Sequence, residues 1–132
     1  MKKITLSLLL ASIFSAHALA ATPVGLWRAK QYNPATKNYL NDSDWCFLSD
    51  GRVFNGTVGY WATTGFQGVW QKAGDSVFMS GERTNEPEVW WRLVNVVTRT
   101  TMVGKGATWV YGSLGSNVNV TMVMTYKGPC SL

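Results

Sequence analysis

The sequence predicts an all-β protein, a single small eight-stranded antiparallel barrel of the up-and-down type. Three observations support this: side chains alternate with a period of two, glycine and β-branched residues are frequent, and no segment carries a helical apolar stripe. The predicted strands are 24–31, 45–49, 52–58, 66–71, 75–81, 88–97, 100–111 and 117–126. The alternative is a two-sheet β-sandwich, which the same strands could build.

Period-two alternation is clear in two of the predicted strands. In 117–126 one face carries Val118, Val120, Met122, Met124 and Tyr126. In 88–97 one face carries Val89, Trp91, Leu93 and Val97, and Arg92 lies on the other. This pattern is typical of half-buried strands whose apolar face packs on the core.

Turn chemistry separates several of the strands. Ser49-Asp50-Gly51 and Lys72-Ala73-Gly74 are typical of hairpins. In a meander, alternate connections share an end, so the longer connections 32–44, 59–65, 82–87 and 112–116 gather at one rim. The tight connections 50–51, 72–74 and 98–99 gather at the other. We expect recognition at the rim with the longer loops.

Residues 1–20 are predicted to be a secretory signal peptide. Lys2 and Lys3 precede an apolar run, and Ala18-Leu19-Ala20 matches the small-x-small cleavage pattern. Residues 21–132 would then form one domain in the periplasm or outside the cell. No cysteine directly follows the predicted cut, so we expect no lipid anchor.

Cleavage would remove His17, the only histidine. Neither a Ser-His-Asp arrangement nor a histidine zinc site could then form. We therefore expect a protein that is not an enzyme and that needs no cofactor and no metal. Two carboxylate pairs leave alternatives open: Asp42 with Asp44, and Glu86 with Glu88, as acids of a hydrolase, or 41–44 as a calcium loop.

The charge of the predicted mature chain is modestly positive. Without Lys2 and Lys3, ten basic and seven acidic side chains remain, a net charge of +3. The basic residues are scattered and form no stripe, which argues against nucleic-acid binding.

Cys46 and Cys130 are the only cysteines, and in an oxidising compartment we expect them to form a disulfide. The predicted strands create a difficulty. Cys46 would lie near the open rim and Cys130 at the opposite end, so the disulfide requires strong strand tilt or a different second strand.

Gly25-Leu26-Trp27 on the first strand resembles the G-x-W motif that opens lipocalins and related small barrels. The resemblance implies that Trp27 packs across the closed end, under a basic side chain from the last strand, for which Lys127 is the candidate. In its size, its predicted signal peptide and its predicted disulfide, the chain is also similar to periplasmic metalloprotease inhibitors. Ser80-Gly81 resembles the start of a loop motif of periplasmic lysozyme inhibitors, although Thr84 stands where those proteins have tyrosine.

Aromatic and charged side chains in the long connections are the candidate partner-binding residues, because such residues anchor protein interfaces. They are Tyr32, Tyr39, Tyr60, Trp61, Arg83 and Glu86. Trp61 could instead plug the barrel mouth. Trp27, Trp45, Trp70, Trp91 and Trp109 are predicted to fill the core, which would leave little room for a lipid.

The sequence is compatible with two functions. The first is a periplasmic protein that binds and neutralises a protein partner, as an enzyme inhibitor or as an immunity protein against a toxin. The second is a lipocalin-like binder of a small ligand or glycan.

Overall fold

The computed structural model describes residues 22–59, 66–83, 88–110 and 117–131. They form eight strands: β1 (Gly25–Tyr32), β2 (Tyr39–Phe47), β3 (Arg52–Gly56), β4 (Phe66–Ala73), β5 (Ser76–Arg83), β6 (Glu88–Thr98), β7 (Thr101–Val110) and β8 (Asn117–Gly128). Each strand pairs antiparallel with the next, and β8 pairs with β1 to close the barrel. The predicted up-and-down barrel is confirmed, and the sandwich alternative is wrong.

The predicted signal peptide lies outside the described residues. Within the described ranges, no helix has the length and apolar character needed to cross a membrane.

β2 begins at Tyr39 rather than at residue 45. The segment before Trp45 is mostly polar and resembles a loop, yet it pairs with β1 from Arg28 to Tyr32. Two cross-strand neighbours explain part of this: Lys30 lies opposite Asp42, and Arg28 lies opposite Asp44. Pairs of opposite charge stabilise neighbouring strands.

The longer β2 removes the difficulty with the disulfide. Cys46 now lies near the end of β2, opposite Leu26 of β1, and Leu26 also lies opposite Gly128 of β8. The chain after Gly128 reaches back over β1, and Cys46 and Cys130 form a disulfide with their Cα atoms 5.7 Å apart. The predicted pairing is confirmed.

β6 faces the opposite way from the prediction. Trp90, Arg92 and Val94 are buried inside the barrel, and Trp91 and Leu93 are only half-buried on the outside. Apolar side chains occupy both faces of this strand, so alternation alone does not determine which face is inside. The pairing of β6 with β5 and β7 decides it.

The interior of the barrel is densely filled by apolar side chains from its middle to the closed end, where the tight turns lie. Trp45 and Trp90 meet edge to face with their ring centroids 5.2 Å apart. Around them lie the other buried core residues: Trp27, Ala29, Phe47, Val53, Val77, Met79, Val94, Met102, Val120, Met122 and Met124. Trp70 packs half-buried against this core. The predicted core positions of Trp91 and Trp109 are wrong, since Trp109 is 42% exposed on the outer face.

Trp27 seals the closed end, as the resemblance implied, but its partner differs. Its indole nitrogen donates a hydrogen bond to the Pro23 carbonyl at 2.8 Å, and its ring meets Tyr126 edge to face at 5.3 Å. Lys127 is exposed on the outside of β8. Gly25 has a φ of 129°, and a Cβ there would lie 2.5 Å from the Tyr126 ring, so this position requires glycine.

Candidate functional site: the polar mouth of the barrel

The open end of the barrel holds a cavity of about 650 Å³, which we call the mouth. Its volume lies within the range of small-molecule sites. Several inward positions in this half carry polar or small apolar side chains, among them Gln31, Ser43, Arg92 and Val120. The predicted filling of the barrel is therefore wrong for this half. The side chains bordering the cavity include Gln31, Leu40, Asn41, Asp42, Ser43, Asn55, Arg83, Glu88, Arg92, Thr108, Val110, Val118 and Val120.

One wall of the mouth is a hydrogen-bonded row of amide and hydroxyl groups from β1 and β2. The Gln31 side-chain amide donates to Asn41 Oδ1 and to Ser43 Oγ, each at 3.0 Å. Ser43 Oγ also accepts a hydrogen bond of 2.9 Å from the indole nitrogen of Trp45. The row is fixed by these bonds, which hold its polar atoms in place before any ligand enters.

The rim after β3 is held from outside the barrel. The buried Asp44 carboxylate accepts hydrogen bonds from Arg28 at 2.9 and 3.2 Å and from the Gly59 N–H at 3.0 Å. The Asp44 carbonyl accepts one from Asn55 of β3 at 3.1 Å. Asp44 thus ties three segments together and contributes to the shape of the mouth.

Arg92 lies deepest among the charged side chains of the cavity and is only 6% exposed. Its Nη1 donates to the carbonyls of Trp91 and Ala107, each at 2.8 Å, and its Nη2 donates to Thr108 Oγ1 at 3.1 Å. The guanidinium carbon lies 5.7 Å from the centre of the Trp45 ring. Neutral acceptors and an aromatic ring therefore surround this cation.

Gly106 on β7 makes room for Arg92. The two residues are directly opposite each other in the sheet. A Cβ at position 106 would overlap the Arg92 Cδ and the Trp91 carbonyl oxygen. The glycine lets the arginine lie flat against β7 and reach Ala107 and Thr108.

Arg92 has no ion pair with any acidic side chain among the described residues. Burial lowers its pKa to about 10, because a poorly solvated site disfavours the charged form. This pKa is still well above neutral pH. The floor of the mouth therefore carries a fixed positive charge.

Arg83 and Glu88 face each other higher in the mouth, across the connection between β5 and β6. Arg83 Nη1 lies 3.7 Å from Glu88 Oε2. Arg83 is about a third exposed, whereas the side chain of Glu88 is mostly buried. Their opposite charges offset each other at the entrance.

Three of the six predicted partner-binding residues lie in the described part of the chain, at two different places. Arg83 lies in the mouth, whereas Tyr32 and Tyr39 form an edge-to-face pair with ring centroids 6.1 Å apart at the β1–β2 rim. Tyr39 is 56% exposed. The other three, Tyr60, Trp61 and Glu86, lie outside the described residues.

The carboxylates considered for catalysis or calcium binding have separate positions. Asp44 is engaged with Arg28, Glu88 faces Arg83, and Asp42 borders the mouth. In the described part of the chain, no three acidic, histidine or cysteine side chains cluster in a way that could hold a metal ion.

Sequence reasoning missed Gln31, Ser43, Asn55, Arg92 and Thr108. A usable pattern was present in β1, where Gln31 continues the inward row of Trp27 and Ala29 with a polar side chain. Such a change along one face indicates where a filled interior becomes a cavity. Arg92 was missed because the prediction takes the Trp91 and Leu93 face of β6 as the core face, whereas the Arg92 face is the one that lies inside.

No protein-family model matches this chain, and no curated protein matches it in sequence.

Proposed function

We propose that this protein is an exported small-ligand binder with a lipocalin-like barrel, and that its ligand occupies the mouth. The observation that carries the proposal is the cavity of about 650 Å³, lined by polar and apolar side chains, with the buried, positively charged Arg92 in its wall. Fixed polar groups above a rigid, filled core are typical of ligand sites. The disulfide is compatible with the proposed export.

A matched pair of variants tests this proposal. Val118 borders the mouth, and Val123 of the same strand is exposed on the outer face. Val118→Trp should fill the mouth and abolish binding, whereas Val123→Trp should leave it intact. Each protein is dialysed against a small-molecule extract of the cells that export it, and retained compounds are identified by mass spectrometry.

Compounds enriched by wild type and Val123→Trp but not by Val118→Trp support the proposal. Equal retention by all three proteins, or no retention, contradicts it.

A second function, recognition of a protein partner as an inhibitor or immunity protein, is favoured by a different surface. The Tyr32–Tyr39 pair adjoins Leu40, which is 43% exposed, and aromatic anchors of this kind are common in interfaces. Pull-down from periplasmic extract should retain a partner that Tyr39→Ala loses. Val97→Ala, which changes an exposed residue near the closed end, is the control. Equal retention by both variants would count against this surface.

A further inference from the structure

The cavity floor presents an unusual charge. Arg92 is buried without a carboxylate partner among the described residues, and an apolar side chain of similar size would avoid the cost of desolvating a cation. The hydrogen bonds to Trp91, Ala107 and Thr108 orient the guanidinium without neutralising it.

The other cation of the mouth already has an acidic partner. Arg83 and Glu88 face each other at the entrance. Asp42 also borders the mouth. The pKa of Arg28 on β1 is raised first by its hydrogen bond to Asp44, and the charge of Asp42 adds to this effect. Of the two cations that border the mouth, Arg92 is therefore the one without a carboxylate partner in the described part of the chain, and its positive charge is available to an occupant.

We propose that the occupant of the mouth is a small organic anion whose acidic group lies against the Arg92 guanidinium. This inference rests on the proposed ligand-binding function and adds the chemical class of the ligand. A carboxylate is the simplest such group, because its two oxygens match the planar donors of arginine.

The walls of the cavity argue for an organic anion rather than an inorganic one. Gln31, Asn41 and Ser43 form a polar wall on the β1–β2 side, whereas Val110, Val118 and Val120 form an apolar wall on the β7–β8 side. A bare inorganic ion would use neither wall and would leave most of the 650 Å³ empty. A molecule with a polar edge, an apolar edge and an acidic group fits all three surfaces.

Matched probes that differ only in charge test this directly. We would titrate the purified protein with 4-hydroxybenzoate and 4-hydroxybenzamide, with glucuronate and glucose, and with sulfate. The indole N–H of Trp45 is the reporter of binding, because it donates a hydrogen bond to Ser43 at the cavity wall and the Trp45 ring lies beside Arg92. Its side-chain N–H resonance, assigned with Trp45→Phe, is followed by heteronuclear NMR.

At least one organic anion should shift the Trp45 resonance with an affinity about tenfold or more above that of its neutral partner and of sulfate. Arg92→Gln should remove this preference, and Arg92→Lys should keep only part of it. Arg52→Gln removes an exposed arginine near the closed end and should change nothing. A circular dichroism spectrum of each variant establishes that it is folded.

The preference of the wild-type protein decides the inference even if Arg92→Gln does not fold. Equal or tighter binding of the neutral partners would overturn the anion assignment and leave the proposed ligand-binding function standing. Binding of sulfate as tight as that of the organic anions would overturn the organic assignment. No shift with any probe would overturn the inference, while the dialysis experiment would still decide the proposed function by itself.

Discussion

At the scale of single residues, Arg92 shows how a barrel can hold a buried cation. Burying an unpaired charge is costly, and here backbone carbonyls, a threonine hydroxyl and the Trp45 ring offset part of that cost. Gly106 provides the space for this arrangement. The site therefore depends on a glycine and on main-chain atoms that no motif in the sequence identifies.

We expect Asp44→Asn to lower the free energy of unfolding by about 1–3 kcal/mol, because a buried acceptor of charged and backbone donors is weakened. Asp50→Asn is the matched control. Asp50 pairs with Arg52, and both side chains are about half exposed, so we expect a clearly smaller loss than for Asp44→Asn. Urea denaturation measures both, and equal losses would contradict the structural role of Asp44.

At the scale of elements, the strands were predictable and their faces were less so. All eight strands were found from period-two alternation, with the largest boundary error in β2, where Tyr39–Asp44 is polar on both faces. Asn41 and Ser43 on one face border the mouth, and the other face carries the Asp44 carboxylate that binds Arg28, so hydrophobic patterning is weak there. In β6 the opposite problem arises: apolar side chains lie on both faces, so the pattern does not show which face points into the barrel.

The candidate site was predicted only at its rim. Tyr32, Tyr39 and Arg83 were chosen as loop-end residues, and the structure puts them at the open end. The interior of the mouth depends on which polar side chains point inward, and this is decided by register between strands far apart in sequence. A single sequence carries little information about that register.

Gly25, where β1 starts, gives an element-scale prediction. Gly25→Ala should cost more than about 2 kcal/mol, because it combines a backbone conformation unsuited to alanine with overlap against Tyr126. Gly74→Ala should cost only about 1 kcal/mol, since its φ of 59° is left-handed but its surroundings are open. Thermal unfolding compares the two, and a Gly25 variant as stable as the Gly74 variant would contradict the tight seal.

At the scale of the whole molecule, the barrel is divided into a filled half and a hollow half. Large rings such as Trp27 and Trp45 fill the interior toward the closed end, whereas the open half has a hydrogen-bonded polar wall and an apolar wall. The core supplies the stability, so the mouth can carry groups such as Arg92 that are costly to bury.

The disulfide should supply a large share of the stability of the whole molecule. It links residues separated by 84 positions, and the chain-entropy relation gives about 4–5 kcal/mol for a loop of this size. Replacing Cys46 and Cys130 together with serine should lower the free energy of unfolding by about that amount, followed by tryptophan fluorescence in urea. Reduction of the wild-type protein should reproduce the change, and a loss under about 1 kcal/mol would contradict the relation.

The disulfide also fixes where the carboxyl end of the described chain lies. Residues 22–24 lead into the closed end, and Cys130 is held against β2 at that same end, on the far side of the core from the mouth. A tether attached at Ser131 would therefore leave the mouth facing away from the support. A sensor surface loaded in this way would present every cavity to the solution in one orientation.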